Sequence, residues 1–125
     1  MRPLELEELA DQTWIGGTPD GAYGRIVLHS CRAAGFEPRV AFGSDDYHAV
    51  QAFVAVGLGV AMLPRLALTV PRPGLARVAL DDPPVREVAA ARLAASFRSA
   101  AATSMLGVLQ ECAAASAPPE PPRRR

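Results

Sequence analysis

The chain has 125 residues, enough for one domain with a substantial core, and its 13 basic and 13 acidic residues give a formal net charge of zero. Balanced charge offers no global electrostatic case for binding nucleic acid or a membrane surface. No run approaches the roughly 20 apolar residues of a membrane helix, Met1-Arg2-Pro3-Leu4-Glu5 lacks the apolar core of a secretory signal, and the exclusive use of arginine, with abundant alanine and no asparagine, reads as GC-rich coding.

In chain order, Leu4 to Asp11 is predicted as a short helix with Leu6, Leu9 and Ala10 on one side, and Thr13 to Gly16 as a strand. Gly16-Gly17-Thr18-Pro19-Asp20-Gly21 is a loop, because glycine, proline and aspartate favour turns. Tyr23, Ile26, Val27, Ser30, Cys31 and Ala34 recur at helical spacing and predict a helix over Ala22 to Ala34, with Arg25 and Arg32 off the stripe and Gly35 ending it. Arg39 to Phe42 is a strand with Val40 and Phe42 on one face. Ser44, Asp45 and Asp46 form an N-cap cluster for a helix that runs to Val56 and stops at Gly57. Val60 to Leu63 reads as a short buried strand closed by Pro64, and Arg65 to Leu68 as one helical turn.

Beyond a Val70–Gly74 loop, alternation predicts a strand over Leu75 to Leu80, broken by Asp81-Asp82-Pro83-Pro84. A weaker strand is expected over Arg86 to Leu93, then a helix over Arg98 to Ala114 with Met105, Leu106, Leu109 and Cys112 inward. Residues 116–125, proline-rich and ending in three arginines, have little to bury and are expected to be disordered. Helices alternating with short strands indicate an α/β sheet covered by helices. Cys31 and Cys112 are expected as buried free thiols, which suits a reducing cytoplasm.

Leu6-x-x-Leu9-Ala10-Asp11, Trp14-Ile15, Ala34-Gly35-Phe36-Glu37-Pro38 and Gly57-Leu58-Gly59-Val60-Ala61-Met62-Leu63-Pro64 stand in an order and spacing that resembles the effector-binding domain of LysR-type transcriptional regulators. The resemblance covers Leu4 to Ala113. It implies an α/β fold like that of a type II periplasmic binding protein, with two lobes joined by two crossover strands and a small-molecule effector held between them. Residues 4–80 would be the second lobe with its return crossover, and 81–115 the strand and helix that rejoin a first lobe present only in part. The family's winged helix-turn-helix has no counterpart here, so the chain is not expected to bind operator DNA itself. Pairing with a second copy or a full-length relative is implied through the Ala22–Ala34 helix and the Arg39–Phe42 strand.

By the same resemblance, Gly16, Gly17 and Thr18 occupy the loop that faces the inter-lobe cleft, and Asp46 lies at a helix start bordering it. Ligands of such sheets bind outside the carboxyl ends of strands; glycines allow close backbone approach and the Thr18 hydroxyl both donates and accepts. Two ordinary readings stand beside these: an unremarkable strand–helix turn with Thr18 capping locally, and N-capping with solvation for Ser44 to Asp46. Neither a G-x-G-x-x-G nor a P-loop pattern supports nucleotide binding. His29 and His48 are isolated and lack zinc-ligand spacing, no G-x-S-x-G elbow is present, and the carboxylates are scattered. The expectation is therefore a cytoplasmic binding module without cofactor or metal and not an enzyme; the alternative is an interaction protein that pairs with and modulates a full-length regulator.

Overall fold

The computed structural model describes residues 2–92 and 99–116. The expectations for Leu93, for a helix start at Arg98 and for residues 117–125 lie outside the described residues. Two compact units are present, one ending at Val85 and one beginning at Arg86.

The first unit is built on a β–α–β arrangement. Strand β1 (Thr13–Gly16) leads into helix α1 (Ala22–Ala33), which returns to strand β2 (Arg39–Gly43), and β1 and β2 pair in parallel. A parallel pair needs a crossover of this length, and the helix supplies the apolar face that covers the sheet. The register slips between Trp14 and Ile15: Trp14 faces Val40 while Ile15 faces Phe42, so Ala41 is an extra residue on β2. Helix α2 (Tyr47–Ala55) follows.

Both helices stop where the sequence predicts, for a backbone reason. Gly35 and Gly57 adopt φ of 84° and 81°. At the first stop, Phe36 N–H donates to the Cys31 carbonyl and Gly35 N–H to the Arg32 carbonyl, each at 3.0 Å. At the second, Leu58 donates to Phe53 and Gly57 to Val54. This paired pattern satisfies the orphan carbonyls of a helix end and requires a left-handed residue, which glycine adopts without a Cβ penalty. Phe36 and Phe53, one at each stop, pack against the core.

The core consists of Trp14 and Ile15 from β1, Tyr23, Val27 and Cys31 from one stripe of α1, and Val50 from α2. The predicted α1 stripe is thus narrower than its sequence suggested, with Ile26 exposed and Ser30 and Ala34 half-buried. Trp14 places its indole N–H on the Leu9 carbonyl at 3.2 Å, satisfying its one donor while the ring is fully buried. The buried Gln51 likewise donates from Nε2 to the Ala67 carbonyl at 3.0 Å, tying α2 to the short turn Arg65–Leu68.

Several expected elements are shorter in the structure. The helix predicted over Leu4 to Asp11 is a single 3-10 turn, Leu6–Leu9. Val60 to Leu63 forms no strand; only Val60 bridges Trp14, donating to the Thr13 carbonyl and accepting from Ile15, both at 2.8 Å. Leu75 to Leu80 is likewise not a strand, and its single bridge joins Leu80 to Leu4. Residues 86–92 are exposed and have no ladder. Alternating sequence creates a strand only where a second backbone accepts its hydrogen bonds along its length, and among the described residues these stretches find one bridging partner each, at Trp14 and Leu4, or none.

In the second unit, helix α3 (Ala100–Ser116) carries no buried residue. The inward stripe expected on it is corrected: Met105 and Leu109 are about half exposed, Leu106 is half-buried, and Cys112 is an exposed thiol. Periodicity identified the helix, whereas burial depends on a neighbour. Ser116, from which disorder was expected, is the last described residue of this helix.

Candidate functional site

The loop after β1 meets the start of α2 at the carboxyl end of the sheet. Its shape is dictated by glycine. A Cβ on Gly17 would lie 2.4 Å from the Gly24 nitrogen, and one on Gly24 would lie 2.1 Å from the Thr18 carbonyl oxygen. The loop therefore passes over the first turn of α1 at a distance only glycine permits. Gly16 and Gly17 are buried beneath it, while Thr18 is exposed.

Two contacts fasten the loop to the segment ahead of α2. Ser44 N–H donates to the Gly16 carbonyl at 2.9 Å. Asp45 reaches Thr18 with both carboxylate oxygens: Oδ1 accepts from the Thr18 amide at 3.2 Å and Oδ2 from the Thr18 hydroxyl at 2.5 Å. The Thr18 carbonyl in turn accepts from Gly21 N–H at 3.0 Å, closing the turn.

Asp46 has a different task. Its Oδ1 accepts from the amides of His48 and Ala49 at 2.8 and 3.4 Å, so it is the N-cap of α2. The structure thus brings Gly16, Gly17 and Thr18 together with Asp45, and places Asp46 beside them but turned toward its own helix. The Ser44–Asp46 cluster was visible in the sequence. Which of two adjacent acids reaches back to Thr18 and which caps is decided by the backbone, at Asp46 φ −86° and ψ 106°.

Sequence reasoning missed two tyrosines below this junction. Tyr23 is buried in α1, and its ring meets that of Tyr47, the first residue of α2, edge-on at 5.2 Å. The Tyr23 hydroxyl is buried without a hydrogen-bond partner. Burial, and then the nearby Tyr47 phenol and Asp45 carboxylate, hold this phenol well above its ordinary range. Read from sequence, Tyr23 was a core residue on an apolar stripe, and nothing in that spacing signalled an unpaired hydroxyl.

Elsewhere in the first unit, a cleft of about 460 Å³ lies between Leu4–Glu7, the end of α1 and Leu80–Pro84, and includes none of Gly16, Gly17, Thr18 or Asp46. Among the described residues, no three His, Cys, Asp or Glu side chains converge as a metal site, and no helix is long and apolar enough to cross a membrane.

Comparison with known proteins places these features in context. The profile of the LysR substrate binding domain matches residues 1–114. The chain is also similar to the uncharacterized HTH-type transcriptional regulator YcgK of Bacillus subtilis (strain 168), at 34% identity over 64 residues, which is 51% of this chain and 20% of that protein. The similarity therefore spans about a fifth of the relative's length. No solved structure matches the chain.

Proposed function

Because the chain belongs to the LysR substrate-binding domain family, whose fold is α/β and periplasmic-binding-protein-like and whose members are parts of transcriptional regulators, we propose that it is the effector-binding and oligomerisation portion of a LysR-type regulator. In this reading residues 4–80 are the second lobe and 81–115 return to the first. The small-molecule effector is held between the lobes in the cytoplasm, and binding rather than catalysis is the activity. Such a ligand acts only by favouring one arrangement of lobes over another.

The observation that carries the reading is the Gly16-Gly17-Thr18 loop. It stands at the carboxyl end of β1, with buried glycines that let the loop pack onto α1 and an exposed Thr18 braced by Asp45. Gly16, Gly17 and Thr18 form the effector wall on this lobe, and Asp46 borders it by fixing the start of α2. The test is a thermal-shift screen of a metabolite panel, repeated with Thr18→Val. A stabilising metabolite whose shift falls by at least half in Thr18→Val supports the site; a shift that survives intact removes the loop from it.

Pairing is proposed through α1 and β2. Every residue of β2 is exposed, including Val40 and Phe42, and Ile26 of α1 is exposed as well. An open apolar edge strand invites a second chain. Sedimentation of the wild type and of Val40→Lys tests this: association lost in the variant supports it, and identical sedimentation contradicts it. The alternative, a protein that pairs with and modulates a full-length regulator, draws on the same edge, and co-purification with such a regulator from the native cell separates it from ligand sensing alone.

A further inference from the structure

The charge pattern around Thr18 points to the chemical class of ligand. An anionic group approaching this wall would look for backbone amides and hydroxyls. Each obvious donor is already taken by a carboxylate of the chain itself. The Thr18 amide and hydroxyl are held by Asp45, and the His48 and Ala49 amides at the start of α2 by Asp46. Both acids are exposed and adjacent. Among the described residues the ion pairs are Arg2–Glu8 and Arg32–Glu37, so neither Asp45 nor Asp46 is neutralised by an arginine. The nearby Arg25 directs its guanidinium to the Asp20 backbone carbonyl. An incoming anion would meet two like charges, and would find the Thr18, His48 and Ala49 donors already occupied.

What the cluster leaves unsatisfied can serve a cation, the phenol by the lone pairs of its oxygen. It offers uncompensated carboxylate charge, an aromatic wall in the half-buried Tyr47, and the Tyr23 hydroxyl, more than nine-tenths buried, with nothing bonded to it. That hydroxyl belongs to a ring packed against both sides of the junction. A Cβ on Gly17 would lie 2.7 Å from Tyr23 Cδ1, and the Tyr47 ring meets the same ring edge-on. Carboxylate oxygens, a phenol oxygen and a tyrosine ring together complement a cationic hydrogen-bond donor.

We propose, resting on the effector-binding reading above, that this wall binds a ligand through a protonated amine, with Asp45 accepting from the ammonium in place of Thr18 and the Tyr23 hydroxyl becoming a second oxygen partner as the loop loosens. The Thr18–Asp45 contact is then the resting state of the site. It keeps the carboxylate in position without burying it.

The test uses the complete chain, labelled with ¹⁵N, and three four-carbon probes that differ only in their ends: butane-1,4-diamine, butane-1,4-diol and succinate. The diamine is expected to move the Thr18 and Tyr47 amides saturably, and the diol and succinate to leave them in place. Asp45→Asn, which preserves shape and still accepts from Thr18, is expected to weaken the diamine by about tenfold or more, the scale of a hydrogen bond to a charged group. Tyr23→Phe is expected to weaken it by about fivefold, and Asp20→Asn, an equal charge change in the same loop, by less than about twofold. Equal weakening by Asp20→Asn and Asp45→Asn would reduce the effect to general charge attraction and overturn the proposal. Succinate or the diol acting at Thr18 would overturn the amine assignment while leaving an effector site there. Silence toward all three probes would also overturn it, and the metabolite screen with Thr18→Val then decides the effector reading separately.

Discussion

The ring of Tyr23 stands edge-on to that of Tyr47, with centroids 5.2 Å apart and planes at 87°, while its hydroxyl is buried and bonded to nothing. The two facts pull in opposite directions. Edge-to-face packing contributes about 0.5–1.5 kcal/mol beyond area burial, whereas an unpaired buried hydroxyl costs about 1–3 kcal/mol. Tyr23→Phe keeps the first and removes the second. Its urea midpoint is expected to rise by the equivalent of about 1 kcal/mol with an unchanged slope. A fall of that size in equilibrium unfolding would show that the hydroxyl has a partner in solution.

Asp45 and Asp46 are neighbours with separable roles. Asp46→Ala removes the oxygen that accepts from the His48 and Ala49 amides, and is expected to cost about 1 kcal/mol, the usual worth of an N-cap. Asp45→Ala leaves that cap in place and releases Thr18 from two exposed hydrogen bonds, so its effect on global stability is expected to stay within about 0.5 kcal/mol. Amide exchange at Thr18 should accelerate in Asp45→Ala and stay slow in Asp46→Ala. Denaturation and hydrogen exchange on the two variants check both halves; a reversed order would exchange the roles.

How much of this was legible in the sequence follows from which forces are local. Gly35 and Gly57 could be read as helix stops because a positive φ is a property of the residue itself. Tyr23, Val27 and Cys31 could be read as core because they share one helical stripe beside the buried Trp14 and Ile15. Strands at 60–63, 75–80 and 86–92 failed because a ladder belongs to two segments and the alternation of one does not supply the other. Met105, Leu109 and Cys112 failed in the same way: their spacing predicted a helix correctly, and nothing in that spacing specifies what lies against it. At the candidate site, the turn after β1 was legible because its glycines and proline favour turns locally. The bond between Thr18 and Asp45 spans 27 positions and was beyond the reach of local pattern.

Two glycines test conformation against crowding. At Gly35 nothing lies within 4 Å of the place a methyl group would take, so Gly35→Ala meets only the strain of φ 84° and is expected to cost about 1–2 kcal/mol. Gly24 has an ordinary helical backbone, yet its Cβ would sit 2.1 Å from the Thr18 carbonyl oxygen. Gly24→Ala must displace the 17–21 loop and is expected to cost more than about 3 kcal/mol, the range of severe overpacking. Thermal melts of both variants give the order. A mild Gly24→Ala would mean that the loop moves freely off α1.

The two thiols differ in burial, and the buried one links stability to alkali. Cys31 is fully buried, and burial, followed by the charge of Glu37, pushes its pKa up to about 11 from an ordinary 9.0. The folded chain therefore retains a proton that the unfolded chain gives up earlier. The corresponding stability is complete below about pH 9 and is lost as pH rises through about 11. The buried Tyr23 phenol is held up in the same sense and adds to the loss at higher pH. Cys112 is exposed. Unfolding free energy measured at rising pH should fall through this window in the wild type and less steeply in Cys31→Ala. A disulfide reagent near neutral pH should modify Cys112 promptly and Cys31 only as the chain unfolds. Prompt modification of both thiols, or equal pH slopes, would place Cys31 outside the closed core.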